Sequence, residues 1–471
     1  AQTAGTGTTT INTGAFTSTQ QGIATTTSAG VVINNDIITI NDSIDTTGDG
    51  AVTLTTDNGL LTIAADGDIT ADGAVQLTGS TGIQTAGNIT TTSDNVTFKS
   101  ATTLTGVIEI DTDAEDIGNI GFENTIDGAY SLTLGAGTGT ATLGGAVDVA
   151  SIDATAATIN IDGGFADNGD GTLTHSVATT GAQTYTGATV LGANTTLSAV
   201  AGLDVLQAIT FAGTLDSDKN GASPAASSER TLDIIGNAIF VGAVGSTDTL
   251  GSLTVSGTSL LKGAGGQPMS VTTSGIQTFS GAVTLGANTN LTTSGSTITF
   301  SETLDATTAG VETLALSAGS GDINFTGPVG SATDGSGNNI GRLGVVTINS
   351  VKDLTITNGM KAASFMQGLN SDDSLRGTGV FLLNGDLDTN AGGITISSAT
   401  VDLNANLTTI AGGANGLVTI NAGAGDSITN VALTLDGANI TTTAGENSGL
   451  QSGAIVIDSD GSVALNGSLL T

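Results

Sequence analysis

The residues with the clearest chemical potential are acids spaced as in the opening of a calcium-binding loop. Residues 216–221 read DSDKNG, so Asp216, Asp218 and Asn220 place side-chain oxygens at positions 1, 3 and 5, with a glycine at position 6. Calcium prefers oxygen ligands, and loops of this kind use the same spacing around a sharp turn at glycine. The acid expected at position 12 is a serine. The spacing therefore predicts a calcium site but leaves part of its ligand set open.

A second acidic stretch, residues 162–171, reads DGGFADNGDG and has the same character. Its aspartates Asp162, Asp167 and Asp170 are predicted metal ligands, and Ca²⁺ is the cofactor expected for both stretches. The competing interpretation is that these acids form Asx turns at the corners of a β-structure, because Asp, Asn and Gly are the residues that turns prefer. Two shorter stretches, DTTGDG and DSDG, fit either interpretation.

The sequence offers little material for catalysis. It has no Cys and one His, His175, which is expected to face solvent from a strand. A polysaccharide-degrading enzyme needs acids together with a basic proton acceptor. The eight basic residues are instead scattered through the sequence: Lys99, Lys219, Arg230, Lys262, Arg342, Lys352, Lys361 and Arg376. No catalytic residues and no organic cofactor are therefore predicted.

The composition favours β-structure with an acidic surface. The 471 residues include 71 Gly and no Trp; strand-favouring Thr, Val and Ile are abundant, as are turn-favouring Asn and Asp. Hydrophobic residues make up 38% of the chain, which provides enough apolar surface to oppose disorder. The formal charge of −35 repels nucleic acids and anionic lipids, so neither is an expected partner. No run approaches the roughly 18 apolar residues of a membrane-spanning helix, and no membrane span is expected.

Short segments in which apolar and polar residues alternate recur along most of the chain. Examples are AVTLTT at 51–56, SLTLGAG at 131–137 and STITFSE at 296–302. This period of two is that of a half-buried strand, and Gly, Asn-Gly or Asp-Gly separates the segments. Most of the eleven Phe occupy apolar positions of such strands and are predicted to lie in the core. Two architectures fit the pattern: a β-solenoid with two or three short strands per coil, or tandem β-sandwich domains.

One phrase of the sequence occurs twice, 94 residues apart. Residues 181–197 read GAQTYTGATVLGANTTL, residues 275–291 read GIQTFSGAVTLGANTNL, and 11 of the 17 positions are identical. A weaker third copy, GIQTAGNIT, begins at Gly82. These copies predict super-repeats of about 95 residues. The predicted organisation is an N-terminal extension at 1–30, β-solenoid at 31–180, super-repeats at 181–274 and 275–368, and a diverged solenoid end at 369–471.

The solenoid is the favoured architecture, because tandem sandwiches normally carry a buried Trp or Tyr and proline-containing linkers. Trp is absent here, and the three prolines do not recur at one position of the repeat. The repeated phrase, with the IFVGAVGS and SLTV motifs that follow it, resembles the β-strand repeats of large bacterial exoproteins of the filamentous-haemagglutinin type. The resemblance covers residues 80–370 and implies a secreted right-handed parallel β-helix, displayed as an adhesin or a surface fibre. The Asn-Pro-Asn-Gly signature of that family's secretion domain does not occur, so the export route is not indicated.

Two segments are predicted to depart from the β pattern. Residues 223–230, SPAASSER, combine a Ser cap with Pro at the first helical position. Residues 359–368, GMKAASFMQG, are long enough for two turns of helix. Both are predicted to project from the coil stack as insertions, where specific contacts usually form.

The sequence as a whole predicts a non-enzymatic extracellular structural protein, a subunit of a self-assembling cell-surface or matrix fibre. The alternative is an adhesin that binds a glycan or a neighbouring cell, and the third function is a polysaccharide-degrading β-helix enzyme. The predicted partner is another copy of the chain, joined end to end or by strand donation. Residues 1–35 carry no charge and do not resemble a cap. Residues 1–30 are therefore expected to pair with a neighbouring subunit, and a chain without them to stay folded and soluble without polymerising.

Overall fold

The computed structural model is all-β: short parallel strands stack as the coils of a β-solenoid, as predicted. It describes residues 2–12, 22–26, 28–112, 117–163, 176–202, 205–218, 229–368, 376–410, 416–422, 432–435, 440–442, 455–459, 462–465 and 469–470. The chain divides into two compact units, Ala1–Asn237 and Ala238–Thr471. No helix in these described ranges is long and apolar enough to cross a membrane.

The first unit contains strands β1 to β26. Their bounds in chain order are Gln2–Ile11, Ile23–Thr25, Val31–Ile40, Ile44–Thr46, Val52–Thr56, Leu61–Ile63, Ile69–Ala71, Val75–Gly79, Ile83–Thr85, Ile89–Thr91, Val96–Phe98, Thr102–Leu104, Ile108–Asp111, Ile120–Phe122, Ile126–Asp127, Ser131–Gly135, Thr140–Leu143, Val147–Val149, Ser151–Ile161, Val177–Thr179, Gln183–Leu191, Thr195–Ala201, Val205–Leu206, Ala208–Phe211, Leu215–Ser217 and Thr231–Ile235.

Strands β27 to β50 follow, and β27 begins at the last residue of the first unit. Their bounds are Asn237–Phe240, Ser252–Val255, Ser259–Leu261, Met269–Thr273, Gln277–Phe279, Val283–Leu285, Thr289–Thr293, Ile298–Phe300, Leu304–Ala306, Leu314–Ser317, Ile323–Phe325, Leu343–Ser350, Leu354–Ile356, Met360–Met366, Gly377–Leu383, Leu387–Thr389, Ile394–Leu403, Leu407–Thr409, Val418–Ala422, Ala432–Leu435, Ile440–Thr442, Ile455–Ser459, Ser462–Leu465 and Leu469–Leu470.

Each coil of the first unit contributes three short strands. From β5 to β16 a strand pairs in parallel with the strand three places further along the chain, as β5 does with β8, β6 with β9 and β7 with β10. One such column stacks Val52, Val75 and Val96 at spacings of 23 and 21 residues. Two strands of the predicted N-terminal extension, β1 and β2, also pair within the chain, with β3 and β4.

The second unit repeats this arrangement, as in the pairs β30–β33, β31–β34 and β32–β35. Within the units, the described strand pairs are parallel except for the short hairpin of β22 and β23. The alternative of tandem β-sandwiches is therefore wrong, because sandwich strands pair in antiparallel fashion. Parallel stacking suits this chain because each strand buries only two or three side chains, and small, aliphatic and single aromatic residues fill the coil interior.

Phenylalanine occupies the core as the alternation predicted. The nine Phe that the structure describes are all buried: Phe98, Phe122, Phe211, Phe240, Phe279, Phe300, Phe325, Phe365 and Phe381. Register places some of them on successive coils, where their rings stack. Phe279, Phe300 and Phe325 form one such stack, with centroid distances of 5.4 and 5.3 Å.

Inward-facing threonines at the ends of strands close the corners of the coils. Each hydroxyl donates to a backbone carbonyl two to six residues further along, so a polar side chain is buried with its hydrogen bond made. The pairs are Thr46–Gly50, Thr56–Gly59, Thr85–Gly87, Thr112–Gly118, Thr179–Gly181, Thr273–Gly275, Thr293–Ser296 and Thr389–Gly392. This device explains much of the Thr and Gly content of the chain.

The predicted helix at 359–368 is wrong. Its central residues form strand β40, in which Ala362 pairs with Leu343 and Phe365 pairs with Ile394 on the next coil. Helix propensity is a weak preference that tertiary pairing overrides. The other predicted helix, at 223–230, falls almost wholly outside the described residues.

The repeated phrase builds the same buried hydrogen-bond cluster twice. Gln183 and Gln277 point inward and are fully buried. The Gln183 amide nitrogen lies 2.8 Å from the Ser198 carbonyl oxygen and 3.2 Å from the Thr179 hydroxyl. The Gln277 amide nitrogen contacts the equivalent atoms, which also lie 94 residues further along, at 2.9 and 3.3 Å. Both copies of the phrase therefore supply the buried amide of an equivalent cluster, with partners just outside the phrase.

The two copies differ at the aromatic residue. In the first, the Tyr185 hydroxyl donates to Gln183 Oε1 over 3.0 Å, and burial raises the pKa of Tyr185 above its usual range. In the second, Phe279 replaces this tyrosine, and Gln277 Oε1 is buried without a hydrogen-bond partner. Leaving a buried acceptor unpaired costs about 1–3 kcal/mol.

Candidate functional site

The two acidic stretches predicted to bind calcium meet at one corner of the first unit. Strands β19, β21 and β25 stack in register, with their last residues Ile161, Leu191 and Ser217 aligned. The residues that follow these strands, Asp162, Gly192 and Asp218, therefore also lie one above another on three successive coils. We call Asp162, Asp216 and Asp218 the acidic corner.

Gly192 makes room for the upper carboxylate of the acidic corner. A Cβ atom on Gly192 would lie 2.2 Å from Asp162 Oδ1, so any side chain there would displace the carboxylate. Burial raises the pKa of Asp162, and the negative charge of Asp218 raises it further. Asp216 precedes Asp218 by two residues, so both lie on the same side of the strand. Asp216 is only 8% exposed.

The structure places three of the predicted ligands, Asp162, Asp216 and Asp218, at this corner, and three cannot be placed. Asp167, Asp170 and Asn220 lie outside the described residues, as does His175. Within the part of the chain that the structure describes, no group of three or more His, Cys, Asp or Glu side chains is arranged to hold a metal. The acidic corner therefore has Asp162 and Asp218 in one column, two coils apart with Gly192 on the coil between them, and Asp216 two residues before Asp218.

Asp and Asn at other corners serve as links between coils. Asp68 Oδ1 accepts from the Asn88 backbone N–H at 2.7 Å, and Asn88 Oδ1 accepts from the Glu109 N–H at 2.9 Å. In the DTTGDG stretch, Asp49 has a left-handed φ of 65° and donates its N–H to Asp72 Oδ2. These oxygens satisfy backbone groups of a neighbouring coil, so they stabilise the stack.

The second unit contains a polar cavity that the sequence did not reveal. It measures about 320 Å³ and is lined by the polar side chains of Ser331, Asn358, Lys361, Asp386 and Asp388. Lys361 and Asp388 pair in register on adjacent coils. Asp386 immediately precedes strand β42 and Asp388 lies within it, two residues further on, so both face outward and line the cavity. Neither acid was predicted as a site residue, and their spacing of two in NGDLD was the available signal.

Arg342 links two neighbouring strands at one wall of this cavity, β40 and β42. Its Nη1 donates to the carbonyl oxygens of Ala362 at 3.0 Å and Asp388 at 3.1 Å. Burial raises the pKa of the Asp388 carboxyl, and the positive charge of Arg342 opposes that rise. Because the lining includes negatively charged Asp386 and Asp388 and positively charged Lys361, the cavity suits a small polar ligand held by hydrogen bonds. Both sites rest on the geometry of this chain alone, since no family model, curated protein or solved structure matches it.

Proposed function

We propose that this protein is a non-enzymatic extracellular structural protein, a subunit of a self-assembling cell-surface or matrix fibre. One observation carries the proposal: a series of polar corner residues binds the next coil. Corner Asp and Asn side chains accept its backbone N–H groups, and inward threonines close its corners. These polar groups stabilise the stack of coils, and a structural scaffold requires such a rigid stack.

Self-assembly of this fold needs no new kind of contact. The last strands of any stack of parallel coils offer unpaired N–H and C=O groups, which template another strand. Strand β1 is already paired with β3 in its own chain, so donating it to a neighbour would first break those hydrogen bonds. End-to-end stacking of coils costs no such bonds, and we favour it over strand donation.

Electron micrographs of the purified chain test the fibre. Long uniform filaments are the expected result, and a chain lacking residues 1–30 separates the two modes of growth. End-to-end stacking predicts that the shortened chain still polymerises, because the next coil offers a similar edge. Strand donation predicts a folded monomer. Isolated short rods from the full chain at high concentration would contradict the fibre.

The alternative of an adhesin is favoured by the cavity around Lys361 and Asp388, whose hydrogen-bonding groups suit a sugar. The same cavity would house the chemistry of the third function, polysaccharide degradation. Short rods that bind a glycan, with binding lost in Asp388→Asn, would move the adhesin ahead of the fibre.

Calcium binding at the acidic corner forms part of the proposal, because a cation would relieve the repulsion between Asp162 and Asp218. Because the pKa of Asp162 is raised, its carboxyl binds a proton more tightly in the folded state, and its contribution to folding stability is most favourable at acidic pH. That contribution is lost as the pH rises through the folded pKa. We therefore expect calcium to raise the melting temperature at neutral pH and a chelator to lower it.

Two matched substitutions locate the effect. Asp162→Asn should raise the melting temperature without calcium and abolish most of the calcium-dependent rise. Asp153→Asn, at an exposed position on the preceding part of β19, removes the same charge and should leave that rise intact. Identical melting curves of the unmodified chain in chelator and in millimolar calcium would eliminate the calcium site.

A further inference from the structure

In the part of the chain that the structure describes, one face of the second unit has a column of outward residues that is uncharged over eight successive coils; Arg376, which donates to Asn349 Oδ1, and Asp458 lie beside that column. Its outward residues align one per coil and are called the neutral column: Ser270, Asn290, Ala315, Thr347, Met366, Thr395, Thr419 and Val456. A second row beside it, paired in register along the first four strands, is also uncharged: Thr272, Thr292, Ser317 and Ser350.

The other two faces of this unit do carry charge. One has Asp305, Lys361 and Asp388 at equivalent outward positions. The other reaches Asp402 in its column and has Asp322 and Asp353 beside its strands. In a chain with 43 acidic and 8 basic residues, the neutral column is thus a segregated surface.

The side chains of the neutral column suit close contact with another flat surface. Most are small hydroxyl, amide or methyl groups, which leave the strand surface even. Met366 is 48% exposed and Val456 is 44% exposed, so the column also offers apolar area that a contact would remove from water. The column itself has no charge to desolvate when it is covered, and desolvating charge is the main cost of burying a surface.

We infer that the neutral column is the lateral contact surface between two copies of this chain. Each copy has a formal charge of −35, so copies repel one another wherever carboxylates would face each other. Screening limits that repulsion to about 8–10 Å in ordinary buffers. Two copies can therefore approach within contact distance through a face that has no carboxylate on it, and this face has none on its column.

The size of the column sets the strength of the contact. Eight coils at about 4.8 Å each span about 34 Å, and strands about 15 Å wide give roughly 500 Å² per copy. Stable protein interfaces bury about 800 Å² per partner, so a single pair associates weakly. In a fibre the contacts repeat and add, which would bundle fibres side by side. The bundling rests on the proposed fibre, whereas the pairwise contact does not.

Two variants of equal charge test the contact in the full chain. Thr347→Asp with Thr395→Asp puts two carboxylates on the neutral column, and Thr278→Asp with Thr355→Asp puts two on another face of the unit. All four positions are outward, half-exposed threonines in strands, so the costs in strand propensity match. Self-association is measured by sedimentation equilibrium at high protein concentration in about 1 M NaCl, where screening shortens to about 3 Å. Unfolding midpoints verify that both variants fold.

The unmodified chain should associate more strongly as salt increases. The column variant should lose at least tenfold in association constant, because its carboxylates would be desolvated, and the control variant should stay within twofold. Equal losses in both variants, or no loss in the column variant, would overturn the inference. So would a column variant that associates normally but no longer binds a suspension of neutral polysaccharide, since the face would then belong to a glycan. Filaments that never bundle would contradict this lateral contact but not the proposed fibre. Pairs of chains that form no filaments would support the lateral contact and contradict the proposed fibre.

Discussion

Replacing Phe300 by alanine is expected to lower the free energy of unfolding by about 3–5 kcal/mol. Phe300 is buried and stacks between Phe279 and Phe325, one on each neighbouring coil. The coil cannot shrink to fill the space, because backbone hydrogen bonds to both neighbours hold its diameter. The decrease in the free energy of unfolding therefore includes the cost of the cavity as well as the lost free energy of transferring the ring from water to the core. Denaturant unfolding with linear extrapolation measures it.

Phe325→Ala is the matched control. Phe325 stacks on one ring only, since its other neighbour in the column is Ile356. Its loss should be smaller than that of Phe300 by one stacking contact, about 0.5–1.5 kcal/mol. A loss at Phe300 below about 1 kcal/mol would show that the coils collapse around the gap, and equal losses at the two positions would deny any role to stacking.

Exchanging the aromatic residues of the two repeated phrases should change stability in opposite directions. Tyr185→Phe removes the donor to Gln183 Oε1 and is expected to cost about 1–3 kcal/mol, because the acceptor stays buried. Phe279→Tyr supplies the missing donor to Gln277 Oε1 and is expected to stabilise the chain by about 1 kcal/mol. The amide nitrogens of Gln183 and Gln277 make equivalent contacts, so a hydroxyl at position 279 would take the place beside Oε1 that the Tyr185 hydroxyl has in the first copy.

Phe300→Tyr controls for the added hydroxyl. The residue two positions before Phe300 is Ile298, which offers no acceptor, so the buried hydroxyl would stay unpaired and the substitution should destabilise the chain. Thermal unfolding of the three variants beside the unmodified chain gives all the comparisons. If Phe279→Tyr destabilises as much as Phe300→Tyr, then the second cluster does not reproduce the geometry of the first.

The fold class and much of the core could be predicted from the sequence, because they depend on local regularities. A period of two means that one side of each segment is buried, and Asn-Gly and Asp-Gly can only be turns, whatever the strands pair with. The buried Phe follow from the same rule. Recurrence of the phrase around Gln183 also implied a repeated structure, although its purpose, the burial of one amide, was not visible.

Pairing between coils decided what local preference could not. The stretch around Met360 has helix-forming residues but lies between two strands that leave their hydrogen-bonding groups open to it, so it extends. Asp162 and Asp218 share a column because three successive coils end in register, with Gly192 on the coil between the two acids. Lys361 and Asp388 meet for the same reason. Coil lengths vary, so no sequence spacing announces which corner will stand above which.

The tetrapeptide GIQT shows the division most clearly, because it occurs twice with opposite orientations. At 82–85 Ile83 is buried and the glutamine faces outward; at 275–278 Ile276 is 47% exposed and the glutamine is buried. In the second case Phe279 follows two residues after Gln277 and stacks on Phe300 in the core. Because residues two apart in a strand face the same side, Gln277 also faces inward. In the first, Ile83 stacks between Leu61 and Thr102 and holds the opposite phase. The sequence determined that these residues alternate, and the neighbouring coils decided which of the two sides lies inside.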